Sequence, residues 1–255
     1  MDELKYNLEE SLAELNQLFY LSAKEADKTA CEALAEKARI IYEQYPKSEN
    51  IALRYARILF NLSTEQTELK ELETTAEKLE KLQQQFHKSH DIALQYARIL
   101  FNLSNKQTEL KERKATAEKL EKLQQKFLES TDIALPYAMI LVNLSTEQTE
   151  LKEIEATVEK LEKLQQQFQD STDIALQYAM ILVNLSTKQT ELKEIETTVE
   201  KLEKLQQQFQ DSPDIALRYA MILVNLSTKQ TELKELETTA EKLEKLEKLQ
   251  QQFHK

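Results

Sequence analysis

The sequence repeats itself at a fixed interval of 41 residues over most of its length. Residues 51–91 recur at 92–132, 133–173, 174–214 and 215–255, and the copies at 133–173 and 174–214 differ at only four positions. A repeat of this size is one supersecondary unit that cannot bury its apolar side alone, so neighbouring units must stack. We therefore expect residues 1–255 to form a single repeat domain.

The chain contains no glycine, which restricts the fold further. Phosphate-binding loops, dinucleotide-binding turns and tight β-hairpins all depend on glycine backbone freedom and are excluded. The sequence is instead rich in Leu, Glu, Lys and Gln, residues that favour helices. Together with the repeats, this predicts an all-α protein, an α-solenoid of six helix-turn-helix units.

Each unit carries two segments with helical periodicity. The first, residues 51–62 in the second unit, is apolar on nearly all sides, as expected of a helix packed between neighbours; we call it helix A. It follows a serine that suits an N-cap, and in the last unit proline comes next, which suits the first helical position. These serines are Ser48, Ser89, Ser130, Ser171 and Ser212.

The second segment, helix B, has one apolar stripe and otherwise Glu, Lys and Gln. In the second unit the stripe consists of Leu69, Leu72, Ala76, Leu79, Leu82 and Phe86, in steps of three or four. Two capping boxes offer a start for this helix: Ser63 with Gln66, or Thr74 with Glu77. The continuous stripe favours the longer helix that begins at Ser63.

An Asn-Leu-Ser triplet follows helix A in five units. The triplet matches a glycosylation acceptor, but helix geometry explains it better in a chain without export. Asparagine is the usual substitute for glycine where a helix ends in a left-handed residue. We expect C-caps of helix A, with ligand contact as the alternative, at Asn61, Asn102, Asn143, Asn184 and Asn225.

Residues 1–50 form a divergent first unit. Where the second unit has Ile51, Tyr55 and Ile58, the first has polar residues on the same helical face. Terminal units of repeat arrays need a polar outer face, so this unit is predicted to be an amino-terminal cap. The polar residues are Glu10, Glu14 and Gln17.

The segment from Tyr45 to Ala56 joins an aromatic residue and a proline-containing turn to a helix with a small residue at its crossing point. In this it resembles tetratricopeptide-repeat proteins, with which residues 10–255 share two helices per unit. The unit here is seven residues longer than theirs and lacks their glycine and tryptophan. The resemblance implies a right-handed superhelix in which helices A line a concave groove for peptides or partner helices. The small positions are Ala56, Ala97, Ala138, Ala179 and Ala220, with Ala76 in helix B.

Helix A has one stripe that is polar or variable, at the positions of Arg54, Arg57 and Asn61. The early units place arginines there and the later ones methionines, so the stripe suits an acidic peptide with apolar anchors. A purely structural role, in which the arginines pair with helix B glutamates and the methionines fill the core, is the alternative. Candidate partner-binding residues are Arg54, Arg57, Arg98, Gln95, Met139, Gln177, Met180, Arg218 and Met221, next to Pro136.

Two positions on helix B stand out. Arg113 occupies an otherwise apolar column, so its alkyl chain must pass along the apolar face to solvent, or its guanidinium must pair with a carboxylate. Cys31, in the same column, is expected to be a small buried apolar residue and not a reactive thiol.

No group of residues predicts catalysis or a cofactor. His87 and His90 have a spacing that can share a metal, but later units replace both, and two ligands are too few for a zinc site. We expect neither an enzyme, nor a metal site, nor a cofactor.

The net charge of −11 disfavours nucleic acid and anionic membranes as partners. The sequence shows no signal peptide and no apolar run that spans a bilayer, so we expect a cytoplasmic protein.

Three functions fit this sequence. The first is a protein-binding scaffold that holds a peptide or partner helix in the groove of helices A. The second is end-to-end self-assembly, because the last unit keeps the apolar columns of an internal repeat. The third is the sensor or regulatory region of a larger enzyme.

Overall fold

The computed structural model describes residues 2–25 and 27–253. These residues form twelve α-helices and no strand, which confirms the all-α prediction. The helices are α1 (Asp2–Ser22), α2 (Lys28–Gln44), α3 (Glu49–Glu65), α4 (Leu69–Gln85), α5 (His90–Lys106), α6 (Leu110–Lys126), α7 (Thr131–Glu147), α8 (Leu151–Gln167), α9 (Thr172–Lys188), α10 (Leu192–Gln208), α11 (Pro213–Ser227) and α12 (Leu233–Phe253).

Odd-numbered helices are helices A, and even-numbered helices are helices B. The helices pack as two compact units, Met1–Tyr137 and Ala138–Lys255, whose boundary falls within α7. In the compact unit Met1–Tyr137, α3 packs against α1, α2, α4 and α5. In the compact unit Ala138–Lys255, α9 packs against α8, α10 and α11. Each unit is thus a stack of helix pairs in chain order, as expected of repeats; the handedness of a superhelix and a single repeat domain stay predictions.

The predicted serine caps start helix A. Ser48 Oγ accepts a hydrogen bond from the Ile51 N–H at 3.4 Å, and Ser130 Oγ accepts one from Ile133 at 3.2 Å. Ser171 and Ser212 make the same contact, and the first residue of α11 is proline, as predicted. Ser89 is the N-cap of α5 without a side-chain cap bond.

The predicted asparagine C-caps are wrong. Asn61 lies inside α3, which continues to Glu65, and no residue in the described ranges has a positive φ. Helix A leaves through Gln66, whose φ of −77° and ψ of 122° are extended values that any residue adopts. The absence of glycine therefore demands no substitute at this turn.

The asparagines instead connect successive helices A. Asn61 Nδ2 donates to Ser22 Oγ at 2.9 Å. In later repeats the equivalent asparagine likewise donates to the serine 39 residues before it. Each serine in turn donates to a carbonyl of its own helix, as Ser63 does to Phe60 at 2.6 Å. In the Asn-Leu-Ser triplet the asparagine thus donates to the serine of the previous repeat, and the serine accepts from the asparagine of the next repeat. The further pairs are Asn102 to Ser63 at 3.4 Å, Asn184 to Ser145 at 2.9 Å and Asn225 to Ser186 at 2.9 Å.

Both predicted starts of helix B are also wrong. Helix α4 begins at Leu69 after Glu68, which makes no side-chain cap bond. Ser63 lies inside α3. Thr74 lies inside α4 and donates to the Lys70 carbonyl at 2.9 Å, so its hydroxyl serves its own helix and does not cap it.

The stacked helices A bury their small residues completely. Ala56, Ala97, Ala138 and Ala179 are fully buried, whereas Ala220 in the last helix A is half-buried. On α1 the three polar residues of the predicted cap, Glu10, Glu14 and Gln17, are exposed, which agrees with a terminal face.

Successive helices B are joined by ion pairs with the same 39-residue spacing. Lys119 Nζ lies 2.8 Å from Glu80, Lys201 lies 2.9 Å from Glu162 and Lys242 lies 3.0 Å from Glu203. These side chains are 27% to 48% exposed, so each pair adds little free energy. Burial raises the pKa of the neighbouring tyrosines Tyr96, Tyr178 and Tyr219, and the charge of these glutamates raises it further.

Cys31 is fully buried, as predicted, and burial raises the pKa of its thiol. Arg113 makes hydrogen bonds that the sequence did not predict: its Nε donates to the Ser104 carbonyl at 2.9 Å and its Nη2 to the Gln107 carbonyl. These carbonyls lie at the end of α5, where helix dipole and unpaired acceptors favour a cation. Arg113 thus caps the preceding helix.

Replacing Asn184 with glycine distinguishes a link between helices from a left-handed cap. We expect Asn184→Gly to lower the free energy of unfolding by about 1.5 kcal/mol, of which about 1 kcal/mol comes from the lost bond to Ser145 and the rest from the lower helix propensity of glycine. Urea unfolding followed by circular dichroism measures this. The control Glu200→Gly, at an exposed position inside α10, loses at least as much helix propensity but no bond between helices, so it sets an upper limit to the propensity cost and should be less destabilising. A glycine variant as stable as the parent chain would restore the cap interpretation.

Candidate functional site

The stripe predicted from the sequence is the solvent-facing side of helix A. In α3 it runs through Asn50, Arg54, Arg57, Asn61 and Thr64, of which the first and last are exposed and the others half-buried. The buried residues of α3 lie on its other sides, where it packs against α1, α2, α4 and α5. A partner that binds to helices A of the compact unit Met1–Tyr137 must therefore contact this stripe.

Arg54 is held by the protein itself. Its Nε donates to Asn16 Oδ1 of α1 at 2.7 Å, and its Nη1 donates to the Asn50 carbonyl at 3.0 Å. The first bond ties the guanidinium to α1, and the second ties it to the first turn of its own helix α3. This arginine fits the structural interpretation better than the partner-binding one.

Arg57 and Arg98 lie where α3 packs against α5. The Arg57 side chain is 41% exposed and approaches Asp91 at 4.0 Å, the outer limit of an ion pair. Arg98 is exposed, and its guanidinium carbon lies 5.7 Å from the centre of the Phe60 ring. An exposed pair at this distance is weak, so a carboxylate from a partner can replace Asp91.

Apolar side chains flank these two arginines, a feature that the sequence pattern did not predict. Leu53 and Phe60 on α3, and Leu94 and Phe101 on α5, are all half-buried on the solvent side. We call these four residues with Arg57 and Arg98 the α3–α5 face. The sequence does contain a signal for this surface, because leucine occupies the position of Leu53 in all five units from residue 51 onward. In a helix that is apolar on nearly all sides, however, such a leucine cannot be told from a core residue.

The other predicted stripe residues offer less. Gln95 is only 5% exposed, and Pro136 is buried. Met139, Gln177 and Met180 are half-buried. In α11 the Arg218 Nη1 lies 3.5 Å from Met221 Sδ, and Met221 is exposed.

Met221 belongs to a second exposed surface. Leu217, Met221 and Val224 are 45%, 40% and 51% exposed and follow one another on one side of α11. In α9 the residue equivalent to Val224, Val183, is only 6% exposed. The difference arises because α11 packs against α9, whereas no further helix A packs against α11 within the described residues. We call these three residues the α11 face.

Clefts along helices B form a third feature, which the sequence pattern also did not predict. Each is lined by two successive helices B and the helix A between them in sequence, and has a volume of about 350 to 430 Å³. Glutamates, one lysine and the glutamine that follows helix A line each cleft. In the later clefts this glutamine accepts a bond from a threonine nine residues on: Thr116 to Gln107 at 2.9 Å, Thr198 to Gln189 at 3.0 Å and Thr239 to Gln230 at 2.9 Å.

The two histidines with metal-compatible spacing, His87 and His90, are both exposed. His90 Nε2 lies 2.7 Å from Ser130 Oγ, and its ring meets Phe127 edge-on. Among the residues described, no group of three or more His, Cys, Asp or Glu is placed to hold a metal. Nor does any helix in residues 2–25 and 27–253 have the length and apolarity to cross a bilayer.

No protein-family model and no curated protein matches the chain. The tetratricopeptide resemblance is thus confirmed only as a helical repeat. Among solved structures, a chain described as "Computational Design of Self-Assembling Cyclic Protein Homooligomers" is similar with 12% identity and a TM-score of 0.31, over 99% of this chain and 96% of that one.

Alanine substitutions separate the arginine that the fold uses from those that it leaves exposed. We expect Arg54→Ala to lower the free energy of unfolding by about 1 kcal/mol because two hydrogen bonds to α1 and α3 are lost. Arg98→Ala should cost less than about 0.5 kcal/mol, as an exposed cation–π contact is worth little. Urea unfolding of both variants checks this. Equal costs would mean that Arg98 is structural too.

Proposed function

We propose that this protein is a non-catalytic interaction scaffold whose α3–α5 face binds an acidic segment of a partner protein. The observation that carries the proposal is the combination on one face of two exposed guanidinium groups with four half-buried apolar side chains. Interfaces commonly join arginine and aromatic residues in this way.

The chemistry of the face defines its partner. Arg57 and Arg98 each present a planar guanidinium that can bind a carboxylate through two parallel hydrogen bonds. Leu53, Phe60, Leu94 and Phe101 supply apolar surface beside these arginines. A segment with two carboxylates and an apolar side chain nearby fits, whether it is extended or helical.

The net charge of the chain favours partners that fit this face over partners that are drawn by long-range charge attraction. With a net charge of −11 the chain repels most acidic proteins at long range. A partner must therefore gain its affinity at short range, from ion pairs and apolar contacts on this face. That requirement selects partners by fit and not by charge alone.

Charge reversal on the face tests the scaffold proposal. We expect the double variant Arg57→Glu, Arg98→Glu to lose a defined set of partners by roughly tenfold or more, since both carboxylate contacts become repulsive. The measurement is capture from extract of the source cell with quantitative mass spectrometry.

The matched control is Lys81→Glu, Lys122→Glu, which makes the same charge change at exposed positions of helices B in the same repeats. It should retain these partners. If parent, variant and control capture the same proteins in the same amounts, the α3–α5 face binds none of them.

A second function is supported by the α11 face: we propose that it pairs with the same face of a second copy. The outer side of α1 is polar and carries Glu10 and Glu14, so it is a poor match for three exposed apolar residues. The same face on another copy is apolar and self-complementary under two-fold symmetry. The arrangement expected is thus a dimer through α11 and not a head-to-tail chain.

Matched lysine substitutions test the dimer. Over roughly 10 μM to 1 mM we expect sedimentation velocity to show a growing dimer fraction for the parent chain and monomer alone for Met221→Lys, because a buried unpaired charge opposes association. Gln17→Lys makes the same charge change on the exposed side of α1 and should still dimerise. A parent chain that stays monomeric would exclude this function, and an effect of Gln17→Lys would indicate head-to-tail contact.

A further inference from the structure

One apolar side of α12 is uncovered. Ala240 on this side is exposed, and Leu236 and Leu243, which lie four residues before it and three after it, are half-buried. In α10 the three equivalent residues are at most 3% exposed: Ile195, Val199 and Leu202. The same side of helix B is thus buried in one repeat and accessible in the next.

A helix A accounts for this difference. Helix α10 packs against two helices A, α9 and α11, whereas α12 packs against only one, α11, within the described residues. The α11 face is open for the same reason. In the compact unit Met1–Tyr137, α5 packs on both α3 and α4, and in the other unit α11 packs on both α9 and α10. By this equivalence α11 and α12 together present the surface on which one more helix A packs.

Ser227 marks where such a helix would form a hydrogen bond. It takes the place of Ser63, Ser145 and Ser186, each of which is buried and accepts from an asparagine of another helix A. Ser227 is half-buried and donates to the Val224 carbonyl at 2.8 Å, but within the described residues its Oγ accepts from no asparagine. The acceptor that pairs with an asparagine in those repeats is therefore accessible here.

The helix that occupies the equivalent position on α9 and α10 defines the partner. In α11 the residues Ile215, Tyr219 and Ile222 are buried, and Asn225 donates to Ser186 at 2.9 Å. The same four residue types stand at the same spacing in α3, α5, α7 and α9. A fitting helix therefore carries the pattern Ile-x-x-x-Tyr-x-x-Ile-x-x-Asn.

A second copy of this chain does not offer this pattern on an accessible helix of its described residues. From α3 to α11 every helix A buries its own isoleucines and tyrosine. Helix α1 has other residues at the four positions, and two of them are carboxylates that are costly to bury. These residues are Glu10, Glu14, Gln17 and Tyr20.

We propose that α11 and α12 form a docking site for a helix of another protein that carries this pattern. Its apolar residues cover the α11 face and the uncovered side of α12, and its asparagine donates to Ser227 Oγ. The site goes beyond the α11 dimer because it takes a different partner and requires α12. A bound helix covers the α11 face, so it competes with the dimer.

The chain itself supplies a probe and a matched control. The probe is a blocked, fluorescein-labelled peptide of residues 49–65, which carries the full pattern. The control is the equivalent peptide of residues 8–24, which has the residues of α1 instead. We expect the fluorescence anisotropy of the probe to rise saturably as the full chain is added, and that of the control to stay unchanged, because its carboxylates would be buried without partners. No saturable rise, or equal affinity for both peptides, overturns the proposal.

Two lysine variants locate the site on α12. We expect Ala240→Lys to weaken binding of the probe by roughly tenfold or more, since it places a charge on the uncovered side. Thr238→Lys makes the same charge change at an exposed position on the opposite side of α12 and should bind like the parent chain. Parental affinity for Ala240→Lys places the probe elsewhere and overturns the assignment.

A mutant cycle between chain and probe tests the hydrogen bond. Ser227→Ala in the chain and Asn61→Ala in the probe should each weaken binding roughly fivefold, and the two together no more than either alone. Effects that multiply overturn the pairing of the partner's asparagine with Ser227.

Sedimentation velocity separates this site from the α11 dimer. Ala240→Lys leaves the α11 face intact, so it should keep the dimer fraction of the parent chain while it loses the probe. A monomeric parent chain that binds the probe supports the docking site and excludes the dimer. A parent chain that dimerises but does not bind the probe overturns the docking site alone.

Discussion

The stacking of successive helices A is the constraint on which the rest of the structure depends. Each internal helix A is apolar on most sides and carries an alanine where helices cross, so it must be covered by neighbours. Close packing limits how these helices can lie against one another, and a directional hydrogen bond restricts their register further. The bond from asparagine to the serine 39 residues earlier, repeated in both compact units, gives the stack its register.

The surfaces follow from that stacking. Because the other sides of helix A are buried, one stripe remains to meet solvent, and in the first unit it holds Arg57 and Arg98 among apolar residues. At α11 the same stacking leaves Leu217, Met221 and Val224 uncovered, whereas the outer side of α1 carries exposed glutamates. The clefts along helices B are the spaces between helix pairs whose helices A are already in contact. Their glutamines connect the end of helix A to helix B, and only Gln66 lacks its threonine bond among the cleft glutamines Gln66, Gln107, Gln189 and Gln230.

The sequence predicted what depends on periodicity and local chemistry. The all-α fold, the serine caps, the polar side of α1, buried Cys31 and the solvent-facing stripe all follow from residue types at helical spacing. It failed where one residue has two plausible partners. Asn61 suits a left-handed cap and a bond between helices equally well, and only the three-dimensional register shows that Ser22 lies within 2.9 Å.

Three-dimensional proximity also explains the other differences. Arg54 resembles a free cation until Asn16, 38 residues earlier, is seen to accept from it. Thr74 fits a capping box, but its hydroxyl donates to the Lys70 carbonyl instead. For Arg113 the residue pattern predicts a path along the apolar face to solvent, or a carboxylate partner, and it does not predict the bonds that the guanidinium donates to the carbonyls at the end of α5. In each case the partner is distant in sequence or part of the backbone, and side-chain patterns carry no record of it.

A double-mutant cycle on Asn184 and Ser145 tests most directly whether these bonds hold neighbouring helices A together. The cycle compares the free energies of unfolding of Asn184→Ala, Ser145→Ala and the double variant, with Asn184 and Ser227 as a pair that makes no contact. If the bond links the repeats, the first pair is coupled by about 1 kcal/mol and the second is additive. Additive effects for Asn184 and Ser145 would contradict this role of the bond, because helices A would then be held by apolar packing alone.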